Sequence, residues 1–79
     1  MEEYDKVMKM ATDFASDNFQ QRKQVTDLIA RSDSEELVNI LEVSRGIAFD
    51  NTGDDDLYQA VSSMINFIQM SMAVRMFKY

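Results

Sequence analysis

The sequence predicts an all-α fold: a small antiparallel three-helix bundle, long, short and long, completed by oligomerisation. Three observations carry this expectation. Proline is absent and the two glycines, Gly46 and Gly53, lie close together, so the residues that punctuate a chain most strongly are confined to one region. Elsewhere apolar residues recur at three- and four-residue steps, the period of one helix face. Acidic residues gather where such helices would begin, and carboxylates there meet the positive end of the helix dipole.

The first helix is expected from about Tyr4. Tyr4, Val7, Met8, Ala11, Phe14, Ala15, Val25, Leu28 and Ile29 share one face, opposite Lys6, Lys9, Asp13, Asp17, Gln20, Gln24, Asp27 and Arg31. The apolar stripe is interrupted midway: at roughly 100° per residue, Asn18 and Arg22 point into it and Gln21 lies near its edge. Three readings are open. Asn18, Arg22 and Lys23 can form a polar pocket for an anion, such as a phosphate, a nucleotide or a partner's carboxylate. They can be a buried polar layer that fixes helix register. Alternatively, Asn18 with Gln21 spells a capping-box-like start that splits the first helix in two.

Ser32 and Glu35 spell a further capping box, which starts the second helix. Leu37, Val38, Ile40, Leu41 and Val43 give it an apolar face. Arg45 followed by Gly46 is the expected stop, a cation at the negative end and then a residue that tolerates left-handed geometry. The connector that follows carries Ile47 and Phe49, expected to plug into the core from a loop. A third helix then runs from about Asp54 through Leu57, Val61, Met64, Ile65, Ile68 and Met72.

The stretch AFDNTGDDDLYQA, from Ala48 to Ala60, raises the question of a metal ion. An EF-hand calcium loop needs glycine at its sixth position and a bidentate glutamate at its twelfth. Counted from Asp50, those places hold Asp55 and Val61, so the pattern fails. Asp54, Asp55 and Asp56 read instead as the first turn of the third helix, with Thr52 or Asp54 as its cap. No metal and no cofactor is expected.

Composition narrows the function classes. Cysteine and histidine are absent, which removes disulfides, thiolate nucleophiles, imidazole bases and the usual zinc ligands. No nucleophile and base at plausible spacing remain, so no enzyme is expected. A net charge of −6 opposes direct nucleic-acid binding, which needs clustered lysine and arginine. The start MEEYDKVMKM has acids where an export signal would carry bases, and a cytoplasmic location is the expectation. Read as one domain, a chain of 79 residues hides only roughly 60–65% of its unfolded surface, which favours support from a partner subunit.

One feature points to where that support would come from. The polar stripe of the third helix, Gln59, Ser62, Asn66 and Gln69, gives way to Ala73, Met76 and Phe77. From Met70 on the helix is apolar nearly all round, relieved only by Ser71, Arg75 and Lys78. Such a helix must be covered on every side. The run falls short of the roughly 20 residues of a membrane span and is cut by Asn66, Gln69 and Arg75. Met70, Met72, Val74, Met76, Phe77 and Tyr79 are therefore expected to form a partner or oligomer interface, in which methionine adapts to irregular surfaces. The functional expectation is a small acidic interaction module or inhibitor that binds itself as a homodimer, a host protein, or both. Two alternatives accompany it: an acidic mimic of nucleic acid that blocks a basic host protein, and a small-ligand binder at Asn18, Arg22 and Lys23.

Overall fold

A computed structural model of the protein describes residues 2–77. Among these residues the fold is all-helical, with α1 (Glu2–Phe14), α2 (Phe19–Arg31), α3 (Ser34–Asp50) and α4 (Asp55–Met76) and no strand. The helix count thus differs from the expected three. The long first helix is two helices, parted by a turn over residues 15–18.

Local chemistry explains the break. Asn18 adopts an extended backbone and its Oδ1 accepts from the backbone N–H groups of Gln20 and Gln21 at 2.9 and 3.3 Å. The donor of Asn18 itself turns to Ser16 Oγ at 3.0 Å. Gln21, expected to reach back to that donor, instead accepts from the Ser16 hydroxyl. The gap in the apolar stripe is therefore a helix boundary, and Asn18, which is exposed, belongs to no buried layer.

Two further boundaries differ from the sequence pattern. Ser32 does not start a helix; its Oγ donates to the Leu28 carbonyl at 2.7 Å and closes α2, while Asp33 caps α3 by accepting from Glu36 N–H at 2.8 Å. Neither does Gly46 stop α3, which continues to Asp50 and is longer than α1 or α2. Glycine in a helix interior costs about 1 kcal/mol. One residue on, Ile47 is fully buried, and burying such a side chain contributes roughly 1.5–3 kcal/mol. Burial wins, and the winding turns Phe49 out to solvent, 82% exposed, instead of into the core.

All four helices feed one core, with Val7 and Met10 from α1, Val25 and Ile29 from α2, Leu37 and Ile47 from α3, and Met64 and Ile68 from α4. The largest interface joins α3 to α4 across the short turn at residues 51–54, and α2 meets α3 least. Asp54 caps α4 by accepting from Leu57 N–H at 3.2 Å. Tyr4 ties the start of α1 to the end of α3: its hydroxyl donates to Asp50 Oδ2 at 3.4 Å and accepts from Asn51 Nδ2 at 3.3 Å.

Candidate functional site: an apolar groove between α2 and α4

α4 holds its inner face, Val61, Met64 and Ile68, in the core. Toward its C-terminal end Met70, Val74, Met76 and Phe77 stand in solvent, Phe77 83% exposed. Beside this stretch, Ala30 of α2 and Phe67, Met70, Ser71, Val74 and Arg75 of α4 line an open groove of about 360 Å3. Its floor is fixed from below, because Phe67 packs its ring against Phe14 of α1 at 5.4 Å between centroids. No acidic side chain lines the groove, in a chain with fourteen of them.

Arg75 closes the end of the groove and joins its two walls. Its Nη2 donates to the carbonyls of Ile29 and Ala30 at 3.0 and 3.2 Å. Those are last-turn carbonyls of α2, where unsatisfied acceptors and the negative end of the helix dipole both attract a cation. Arg22 serves the turn that follows α1, a helix whose last turn contains no base. Its Nη1 donates to the Ser16 carbonyl at 2.7 Å, and its guanidinium lies 6.0 Å from the Phe19 ring centre.

The structure thus brings Asn18 and Arg22 together in one turn, around Ser16, with the guanidinium engaged by the chain's own backbone. Lys23 is not part of that arrangement; its ammonium pairs with Asp27 at 2.8 Å on the exposed face of α2. At the other expected site, Met70, Val74, Met76 and Phe77 are exposed, whereas Met72 is half-buried and packs on the core. Tyr79 lies outside the described residues. Ala30, Phe67, Ser71 and Arg75 are the groove residues that sequence reasoning did not assign. Ala30 carried no signal, because its role depends on where α2 ends in space. Arg75 offered one, as a cation in an apolar run.

At the other end of α4 the surface is acidic. The Tyr4–Asp50 contact sets the first turn of α1 beside the end of α3, and Met8 shares a surface depression with Asp54 and Asp56. Glu2, Glu3 and Asp5 in the first turn of α1, Asp50 at the end of α3, and Asp54, Asp55 and Asp56 at the start of α4 are all exposed. Among the described residues no three acids come close enough together to hold a metal ion, and no helix is long and apolar enough to cross a membrane. Comparison with protein-family models, with curated proteins and with solved structures finds no match to this chain.

Proposed function

We propose that this chain is a small protein-interaction module whose working surface is the α2/α4 groove with the exposed end of α4, and that its occupant is a second copy of the chain. The observation that carries this reading is an apolar groove free of acids, set at the far end of α4 from the exposed acids Asp54, Asp55 and Asp56 at its start. Eleven positions separate Asp56 from Phe67, about 16 Å of helix, against a Debye length of about 8 Å at physiological salt. Two acidic chains can therefore meet through their grooves while the acidic ends stay apart and screened.

Surface area supports the same reading. The accessible surface is 5542 Å2, against about 4,900 Å2 for a typical monomer of 9.1 kDa. The excess of roughly 600 Å2 approaches the ~800 Å2 that each partner buries in a standard interface. Native mass across protein and salt concentration tests this. A dimer that persists in high salt and falls to a folded monomer on Val74→Asp supports the reading; a wild-type chain that stays monomeric at high concentration removes it.

The exposed acids at the starts of α1 and α4 support a second reading, an acidic mimic of nucleic acid that blocks a basic protein. Its occupant would sit at the start of α1 and α4, away from the groove. Capture of a basic protein, lost at high salt and on Asp54→Asn with Asp55→Asn but indifferent to Val74→Asp, would establish it.

A further inference from the structure

The exposed end of α4 has a periodicity that tells how a second copy would sit, given the dimer proposed above. Phe67, Met70, Val74 and Phe77 follow three-, four- and three-residue steps, the a-d-a-d spacing of a coiled-coil seam. Met70, Val74 and Phe77 on this seam are exposed, and Phe67 is half-buried as the groove floor. The core-facing residues Val61, Met64, Ile68 and Met72 fall on the other side of the same helix. At roughly 100° per residue the two faces are about 150° apart, so α4 can pack on its own bundle and on another helix at once. Ser71 and Ala73 flank the seam, and residues this small allow two helix backbones to approach closely.

We infer that two copies pair antiparallel along this seam, about a twofold axis level with residue 72, each Phe77 entering the groove of the other copy. An antiparallel seam matches a positions with d positions. Phe67 then meets the second copy's Phe77, and Met70 meets its Val74. The pairing is isologous and closes on itself, so every exposed seam residue is covered with none left to propagate a fibre. A parallel pairing would stack Phe77 on Phe77 beyond the last turn and leave both grooves empty. In the antiparallel pair the ring of Phe77 lies level with Phe67 and against Met70, at the end of the groove away from Arg75. The groove is complete only when the second copy supplies that ring.

Spin labels on single cysteines test the arrangement cleanly, because the chain has no cysteine of its own. Asn66 and Ala73 are both exposed and carry none of the four anchors. Antiparallel pairing about residue 72 puts two labels at Ala73→Cys within about 3 Å of the same level along the helices, and two at Asn66→Cys about 18 Å apart along them. Strong dipolar broadening at residue 73 with a much longer distance at residue 66 is expected. Phe77→Ala should weaken dimerisation by about tenfold or more in native mass measurements. A dimer with equal distances at the two positions, or with Phe77→Ala unchanged in affinity, overturns this pairing and leaves the dimer intact. Absence of dipolar coupling at both positions, with a monomer mass, overturns the pairing and the dimer together.

Discussion

Replacing Arg75 with methionine should loosen a polar tie between α2 and α4 while keeping an unbranched, flexible apolar stem. The Nη2 atom donates to two carbonyls, Ile29 at 3.0 Å and Ala30 at 3.2 Å. Hydrogen bonds from a charged donor contribute roughly 1.5–3 kcal/mol each. Here one nitrogen serves both, the Ile29 carbonyl is shared with Ser32 N–H at 3.3 Å, and Ala30 is exposed, so the pair counts as about one such bond. A loss of about 2 kcal/mol follows, or roughly 8–16 °C in Tm for a domain of this size. Thermal unfolding by far-UV circular dichroism at one fixed, low protein concentration measures it, since pairing would otherwise add a concentration-dependent term. Arg75→Lys should recover part of the loss, because an ammonium keeps the charge at the helix end. If Arg75→Met melts within about 2 °C of the wild type, the two carbonyls are satisfied equally well by water, and the guanidinium does not set the groove.

Two further outcomes follow from the helix boundaries. Gly46→Ala should stabilise the protein by about 0.5–1 kcal/mol in urea denaturation, because Gly46 is inside α3, has no positive φ, and a Cβ there meets nothing within 4 Å; a destabilised variant would mean that α3 does end at Arg45. Asn18→Ala should cost about 1 kcal/mol by the same assay, with Asn18→Asp close to wild type, since the side-chain oxygen alone caps α2; equal losses in both variants would assign the residue a role beyond the cap.

Much of the core was legible in the linear pattern. Val7, Val25, Ile29, Leu37, Val61, Met64 and Ile68 stand out by helical spacing, and each is buried. The caps were harder, because capping chemistry is degenerate at this level. Ser32 and Asp33 are adjacent and both can start a helix; the structure uses the first to end α2 and the second to begin α3. Asn18 raised the right alternatives without choosing among them. Gly46 misled, because a propensity of about 1 kcal/mol is a weak local term beside the burial of a whole isoleucine.

The candidate site divides along the same line. That the end of α4 needs a cover is a property of composition, readable from Met70, Val74, Met76 and Phe77 alone. The groove is not, because its second wall is a single alanine brought there by the end of a helix about forty residues earlier in the chain, and its end is closed by Arg75 reaching last-turn carbonyls that become a helix end only once α2 has formed. The sequence by itself determined an all-helical chain, most residues of its core and the acidic starts of α1, α3 and α4, since these follow from periodicity and from the dipole of each helix. Only the tertiary structure decided which helix ends come together, which backbone carbonyls Arg22 and Arg75 reach, and which side of α4 is left open, since each depends on distances between segments that have no local signature.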